Sequence, residues 1–259
     1  MSKSIQEYLD EIKIQQYKTD IGFKTLMEGV NDNIYIIPKY QRKYKWKKEQ
    51  LEALVQSLIC DFPIPPIYTY RNKKNQLEIL DGQQRVFSLF FYYIGKYIDA
   101  SKNNSIDYKK LNVTGRSFKE ALEDAYILSP LEMKMMTEDD KEIDISYENL
   151  SPEVKRMVDY VSLTVIEIRW VNEEKKGETI QQIFKNLNKG GINLEPQEIR
   201  DGVYDCKFYD MLHEINDNNP AWRKLWGKES LKGKDMETLL ALCAYRKHVA
   251  FDGKEFYIE

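Results

Sequence analysis

The sequence predicts a mixed fold of the α+β class, with a small sheet early in the chain and helices later. In the first hundred residues, short β-branched and aromatic runs alternate with amphipathic or apolar segments of helical length. Between about residues 178 and 245 the apolar residues instead recur at helical spacing. With 259 residues, 42% of them hydrophobic, the chain can bury a substantial core.

The first hundred residues are predicted to form strand, helix, strand, strand and helix. Residues 34–37 are a short β-branched and aromatic run. An apolar helix face begins near Glu49 and ends before a cluster of three prolines. Strands at 67–70 and 76–80 flank a polar turn, and an apolar helix follows from Val86. This pattern predicts a hairpin whose second strand leads into a buried helix.

The middle of the chain is harder to assign. Residues 100–150 are more polar and include an acidic stretch at 137–144, so we interpret them as a solvent-exposed helix and loop region. Alternating β-branched residues at 162–168 then predict one further strand.

Helices are predicted to dominate the remainder. They are expected from about Glu178, from Pro196, which suits a first-turn position, and from Asp235, a candidate N-cap. Because no repeat or flexible linker interrupts the chain, we expect a single unit spanning residues 1–259. Within it we expect a core at 1–100 and a largely helical extension at 101–259.

Charge and cysteine content narrow the class of protein. The formal charge of −3, from 39 Lys and Arg against 42 Asp and Glu, excludes a polybasic chain, so any nucleic-acid surface must be a local patch. Cys60, Cys206 and Cys243 are widely separated, which indicates neither a disulfide framework nor a zinc site. Together with the lack of a secretory signal pattern, they favour a reducing cytoplasm.

A first candidate site is the basic and aromatic segment at residues 34–48. Lysine and arginine bind phosphate and aromatic rings stack on bases, so this composition suits a nucleotide or nucleic-acid surface. A solvated basic loop whose rings pack inward is, on composition alone, a slightly better explanation. The basic residues are Lys39, Arg42, Lys43, Lys45, Lys47 and Lys48, interleaved with Tyr40, Tyr44 and Trp46.

A second candidate site lies between the second hairpin strand and the apolar helix, at Asp81, Gly82, Gln83, Gln84 and Arg85. Free N–H groups and the positive dipole end at a helix start favour an anion, and an arginine forks onto phosphate oxygens. The alternative is a capping box of Asp81 with Gln84, which leaves Gln83 and Arg85 without a role. Asp81 repels phosphate unless it holds a metal or orients an arginine.

A third candidate is the segment at 184–200, where two asparagines and a glycine pair separate two predicted helices. As a pattern alone, a capped helix–loop–helix explains it better than a binding site. Neither a P-loop nor a dinucleotide-binding glycine motif is present. His213 and His248 are far apart in the sequence, which disfavours a histidine-based catalytic centre.

Taken together, these stretches resemble one family. The patterns I-P-x-Y-Q-R-x-Y-x-W at 37–46, L-D-G-Q-Q-R at 80–85 and F-x-x-L-N-x-G-G-x-x-L-x-x-Q-E-I-R at 184–200 are similar to the N-terminal domain of GmrSD-type type IV restriction enzymes. That family is placed in the ParB/sulfiredoxin-like superfamily. The resemblance implies a ParB-like small mixed sheet core with a helical extension. It also favours a functional interpretation of the three segments over the structural alternatives given above.

The resemblance also assigns roles. It implies a phosphate and catalytic loop, with Asp81, Gln84 and Arg85 as catalytic residues and Gly82 and Gln83 as phosphate ligands. The facing wall of the pocket would be Tyr40, Gln41, Arg42 and Tyr44, and the closing residues Asn188, Gly190, Gly191, Gln197, Glu198 and Arg200. DNA would be held by Lys39, Lys43, Lys45, Lys47 and Lys48.

Three functions follow as hypotheses. The leading one is a nucleotide-binding, NTP-hydrolysing domain in DNA restriction and antiphage defence, with Mg²⁺ near Asp81. Relatives usually carry an HNH-type nuclease domain, for which 259 residues leave no room, so we expect a partner or missing nuclease. The alternatives are a non-enzymatic module that recognises modified DNA, and a nuclease using Asp81 and Glu198. A homo-oligomer is left open.

Overall fold

The structure is a computed structural model that describes part of the chain. The residues described are 5, 14–37, 44, 46–98, 106, 111–136, 139–170, 183, 207–228, 230, 233–246, 248–251 and 255–258. The chain divides into two compact units, residues 1–173 and 174–259. Each unit has a hydrophobic core of its own.

The first unit combines helices with short and long strands. Its described helices are α1 (Phe23–Asn31), α2 (Lys48–Ile59), α3 (Gln83–Ile94), α4 (Phe118–Ala125) and α5 (Pro152–Tyr160). Its described strands are β1 (Ile14–Gly22), β2 (Tyr35–Ile36), β3 (Ile67–Arg71), β4 (Leu77–Asp81), β5 (Lys96–Ile98), β6 (Leu128–Pro130), β7 (Lys134–Met136), β8 (Glu142–Asp144) and β9 (Ser162–Trp170). The fold is therefore mixed α and β, as predicted.

Five of these strands form one mixed sheet in the order β1-β9-β3-β4-β2. β1 is antiparallel to β9, β9 is parallel to β3, β3 is antiparallel to β4, and β4 is parallel to β2. The predicted hairpin is confirmed as β3 and β4, and the strand predicted near 162–168 is confirmed as β9. The remaining strands pair in two short antiparallel ribbons, β5 with β6 and β7 with β8.

The core of the first unit is built around α3. This helix buries every residue from Val86 to Tyr92, which confirms the expectation of a buried helix in the most apolar run of the chain. The rings of Phe87 and Phe90 pack edge-on against Phe118, with centroids 5.3 and 5.2 Å apart. Sheet residues such as Val165 belong to the same cluster, so α3 is held firmly where it follows β4.

The middle region departs from the prediction of a solvent-exposed segment. Phe118 and Leu122 are buried on one face of α4, and Met133, Ile145 and Tyr147 also belong to the core. The prediction was wrong because it rested on the average polarity of residues 100–150. A few apolar residues at helical or loop positions are enough to bury parts of this region. The acidic residues around 139–144 are exposed, as expected.

The observed first unit is larger than the predicted core at 1–100. It extends to residue 173, because β9 pairs inside the main sheet and the residues from 111 to 147 complete the core. β1 and α1 were not predicted. Among the described helices, none is both long and apolar enough to cross a membrane.

The second unit is described for its last part. It contains α6 (Lys207–Asn218), α7 (Pro220–Trp226), α8 (Lys234–Tyr245) and an antiparallel pair of strands, β10 (Val249–Phe251) and β11 (Phe256–Ile258). The helix predicted near Asp235 is confirmed, but its N-cap is Gly233. Asp235 is instead buried in the first turn, where Oδ2 accepts from Arg223 at 3.1 Å and from Asn216 at 3.2 Å.

The other helix predictions lie outside the described residues. This holds for the helix expected from Pro196 and for the third motif at 184–200. Of the helix expected from about Glu178, the described residues include Ile183, which is helical.

Candidate functional site

The loop between β4 and α3 has the geometry of an anion site. Asp81 ends β4, Gly82 is the N-cap, and α3 begins at Gln83. Gly82 has a φ of 95°, in the left-handed region that favours glycine. A Cβ at this position would lie 3.0 Å from Arg85 Nη2 and 3.2 Å from Ile67 Cγ1, so a side chain there would collide with the loop's own neighbours.

Helix α3 presents its positive dipole end at this loop. It has 12 residues. Because its N-cap residue is Gly82, no N-cap side chain bonds to its first N–H groups. The first intrahelical bond is donated by the Val86 N–H to the Gly82 carbonyl, at 2.9 Å. The first N–H groups of any α-helix point out of its N-terminus, and such a helix start favours a bound anion.

Asp81 and Arg85 form an ion pair across this first turn. Arg85 Nη2 donates to Asp81 Oδ2 at 2.9 Å and to the Pro66 carbonyl at 2.9 Å. Both side chains are partly exposed, at 31% for Asp81 and 18% for Arg85. The sequence left two roles open for Asp81, holding a metal and orienting an arginine. The structure shows the second, because the Asp81 carboxylate binds Arg85.

An irregularity in the sheet lies opposite this ion pair. Tyr68 of β3 faces Asp81, and the register of the hairpin shifts between Tyr68 and Thr69. Such a shift re-aims the side chains beside it. Arg85 Nε is buried, and none of the described residues accepts its hydrogen bond.

The capping-box alternative for Asp81 and Gln84 is wrong. Gly82 is the N-cap, and the Asp81 carboxylate bonds to Arg85. The Gln84 side-chain carbonyl instead accepts from the backbone N–H of Trp46, at 3.3 Å. Gln84 thus connects the loop to the basic and aromatic segment, 38 residues earlier in the chain.

Of three further contacts made by the described part of the basic segment, one is to the same helix and two are to residues that follow it. The Tyr44 hydroxyl lies 2.9 Å from Ser88 Oγ, and the Tyr97 hydroxyl donates to the Trp46 carbonyl at 3.0 Å. The Tyr44 N–H pairs with the Ile106 carbonyl at 3.0 Å. The first two sequence motifs are therefore adjacent in space at Gln84.

Tyr44 itself belongs to the core. It is 1% exposed and packs against the rings of Phe87 and Phe91. Burial raises the pKa of Tyr44 well above its ordinary value, so its hydroxyl stays protonated. Trp46 also packs partly against the core. The inward-packing interpretation thus describes both rings, and these two residues anchor the segment rather than presenting it to a ligand.

The remaining members of the predicted pocket are placed as follows. Gln83 and Gln84 are 5% and 8% exposed, and Lys47 and Lys48 are exposed at the start of α2. Lys48 also pairs with Glu52 at 3.5 Å. The other predicted residues lie outside the described residues: Lys39, Tyr40, Gln41, Arg42, Lys43, Lys45, Asn188, Gly190, Gly191, Gln197, Glu198 and Arg200.

The described residues do not fit a protein-held Mg²⁺ site. Within them, no three Asp, Glu, His or Cys side chains come together as a metal site would require. Asp81 already gives Oδ2 to Arg85. Magnesium is commonly held by one or two carboxylates together with substrate phosphates, so the expectation of Mg²⁺ near Asp81 stays a prediction.

Sequence reasoning missed several contributors to the site. The Pro66 carbonyl anchors Arg85, and Ile67 packs against Gly82. Neither role has a signal in the residue type. Ser88 did carry a signal, because it is a polar residue within the most apolar run of the chain, and it bonds to Tyr44 and to the Gln84 carbonyl.

The fold and site define a mixed α/β protein with a strand–glycine–helix loop, an arginine on the first helical turn and a basic segment beside it. Residues 23–204 match the family model described as the GmrSD restriction endonuclease, N-terminal domain. The match covers more than half of the chain and includes all three motifs. The chain therefore belongs to this family, which confirms that part of the resemblance.

Family membership implies a defence system related to restriction endonucleases, with DNA as a partner. No curated protein and no solved structure matches the chain.

Proposed function

We propose that this chain is a nucleotide-binding and NTP-hydrolysing domain of a restriction system. In this proposal it has a ParB/sulfiredoxin-like core, acts in the cytoplasm and licenses DNA cleavage by an HNH-type nuclease domain or subunit. The observation that carries the proposal is the position of Arg85 at the N-terminus of α3, held by Asp81 and Pro66. Membership of the GmrSD N-terminal family supports the restriction context.

Phosphate binding follows from the geometry of the loop. The left-handed Gly82 lets the backbone approach a ligand closely, and the first N–H groups of α3 supply donors. Among the described residues, both hydrogen bonds of Arg85 are made by Nη2, and the side chain is 18% exposed, so the guanidinium group can still reach a phosphate oxygen. Because two acceptors hold that one nitrogen, little side-chain entropy is lost when the ligand binds.

Hydrolysis needs charge stabilisation and a positioned water. Arg85 and the α3 dipole would neutralise negative charge that develops on the transferred phosphoryl group. Gln83 or Gln84 would orient the water, with Gln84 held in place by the Trp46 N–H. Since the described residues do not fit a protein-held Mg²⁺ site, no step of this proposal runs through a metal.

The proposal is tested by NTP turnover of the wild type and Arg85→Ala. We expect Arg85→Ala to lose about 10²- to 10³-fold in turnover, the effect of removing one charge-stabilising donor. Arg116→Ala is the matched control, because Arg116 also pairs with an aspartate at 2.9 Å but lies on an exposed loop before α4. Equal turnover in wild type and Arg85→Ala overturns the proposal.

Loss of folding must be separated from loss of chemistry, because Arg85→Ala leaves Asp81 and the Pro66 carbonyl without their partner. Arg85→Lys keeps the charge and one donor, so it should fold like the wild type. We expect it to bind the nucleotide more weakly, since lysine cannot fork onto a phosphate while still holding two acceptors. Far-ultraviolet circular dichroism of each variant shows whether it has folded.

A second candidate function is a non-enzymatic module that recognises modified DNA. The burial of Gln83 and Gln84 favours this function. These residues are only 5% and 8% exposed, so they have little access to the water that hydrolysis consumes. The exposed Lys47 and Lys48 would then hold DNA phosphates. A salt titration distinguishes the two, since affinity for DNA falls steeply with added salt and affinity for a mononucleotide falls much less.

A further inference from the structure

Strand β1 is a long open edge of the main sheet. It spans nine residues, Ile14–Gly22, and pairs with β9 over its whole length without a register shift. Residues 15–20 are all exposed, and within the described part of the chain β9 is the strand paired with it. An edge strand presents a row of backbone donors and acceptors that another strand can bind.

The two edges of this sheet differ in a way that matters for association. β2, at the opposite edge, has only two residues, and a very short strand is one of the ways in which proteins protect an edge. β1 has no proline and no bulge, and its glycine is the last residue. Apart from the charges of Lys18 and Asp20, the features that usually block strand addition are missing from β1.

The charges on β1 are complementary to a second copy of the same strand. An added antiparallel strand must place side chains of the same face opposite one another, so the two-fold axis has to pass through a residue. If that residue is Thr19, Lys18 of each copy lies opposite Asp20 of the other. An axis through Lys18 or through Asp20 would place like charges directly opposite each other.

The same register also places compatible side chains opposite each other on the other face of the strand. Tyr17, which is 43% exposed, would lie opposite Ile21 of the other copy, and aromatic with β-branched pairs stabilise antiparallel strands. Lys18 and Asp20 Oδ2 can take new partners, because their contact within one chain is 3.8 Å long and both side chains are more than half exposed. Such an exposed pair contributes little to the fold of one chain. The other carboxylate oxygen of Asp20, Oδ1, accepts from the Thr164 hydroxyl at 2.6 Å.

We infer that β1 is a homodimerisation edge, at which two copies pair their β1 strands antiparallel with Thr19 opposite Thr19. The two main sheets then join into one continuous sheet of ten strands. This inference does not depend on the proposed nucleotide site, which lies at the β4 to α3 loop.

Sedimentation of the 259-residue chain tests the inference. Between about 1 and about 100 μM the wild type is expected to shift from monomer to dimer. Lys18→Glu should weaken the dimer at least about tenfold, because two symmetry-related pairs change from attraction to repulsion. Lys24→Glu is the matched control, since Lys24 is an exposed lysine on α1, outside the paired strand, with a contact of 3.9 Å to Glu28.

A charge swap completes the test. Lys18→Asp combined with Asp20→Lys restores opposite charges across the axis, so dimerisation should return to within about threefold of the wild type. Thermal unfolding at low concentration shows that each monomer is folded. A wild type that stays monomeric up to the highest concentration overturns the inference, and so does a dimer that Lys18→Glu leaves unchanged or that Lys24→Glu weakens equally.

Discussion

The Tyr44 hydroxyl lies 2.9 Å from Ser88 Oγ, although 44 residues separate them in the chain. Ser88 donates its own proton to the Gln84 carbonyl at 2.8 Å, so Tyr44 is the donor of the shared bond. The first residue of this chain of bonds belongs to the basic segment and the last to the candidate site. This buried bond therefore fixes the position of the basic and aromatic segment relative to the loop between β4 and α3.

The first prediction concerns this bond. Tyr44→Phe should lower the free energy of unfolding by about 1 kcal/mol, because it removes one buried hydrogen bond. Ser88→Ala should lower it by about 2 kcal/mol, because it removes two, one to Tyr44 and one to the Gln84 carbonyl. The double variant should show a coupling energy of about 0.5 to 1.5 kcal/mol. Urea unfolding of the four proteins measures it, and strictly additive effects would show that the two hydroxyls do not interact.

The second prediction concerns Gly82. Gly82→Ala should lower the free energy of unfolding by about 1 to 3 kcal/mol, because a Cβ is strained at positive φ and collides with Arg85 and Ile67. Gly115→Ala is the control, since Gly115 also has a positive φ, of 67°, but among the described residues other than its chain neighbours no atom lies within 4 Å of its Cβ position. The additional loss of unfolding free energy in Gly82→Ala over Gly115→Ala measures the cost of the collision. Equal losses in the two variants would show that the collision costs nothing.

The third prediction concerns pH. Two hydrogen bonds from Arg71, and then one from Arg169, lower the pKa of Glu167 to about 2. A carboxyl group whose pKa is depressed by folding stabilises the protein above its unfolded pKa, and that contribution is lost as the pH falls toward the folded pKa. The stabilisation should therefore decline between about pH 4.5 and pH 2.

Glu167→Gln tests this sign. At pH 7 the variant should be less stable than the wild type by about 1 to 3 kcal/mol, after allowance for partial solvent screening. The difference should shrink as the pH is lowered from 5 to 3, which urea unfolding at several pH values measures. Glu142→Gln, which removes one partner of an exposed pair with Lys134, is the control and should cost less than about 1 kcal/mol at pH 7. A difference that grows toward low pH would reverse the assigned sign.

Elements with a strong local pattern could be predicted from the sequence. The hairpin of β3 and β4 follows from two β-branched or apolar runs around a polar turn, and α3 follows from an apolar run too short to span a membrane. The strand–turn–helix arrangement at Gly82 could also be predicted, because glycine is the residue that adopts the positive φ of such a tight turn most readily. These signals lie within a few residues of the feature they predict.

Features set by distant contacts could not be predicted. Residues 15–20 of β1 are exposed on both faces of the strand, so β1 lacks the alternation of apolar and polar residues that marks a half-buried strand. The partner of Asp81 depended on where the Pro66 carbonyl and the hairpin irregularity place Arg85. Tyr44 looked like a pocket residue by motif, but its burial depends on Phe87 and Phe91, more than 40 residues later in the chain.

The central position of β9 has a consequence for how the chain acquires its structure. β9 lies between β1 and β3, and the Thr164 hydroxyl bonds to Asp20, which precedes it by 144 residues. During synthesis the β3 and β4 hairpin can form early, whereas the strand that pairs with β1 among the described residues, β9, is complete only when residue 170 has left the ribosome. Closing such long loops slows folding, so we expect β1 to be the last strand to join the sheet and the one exposed longest to other chains.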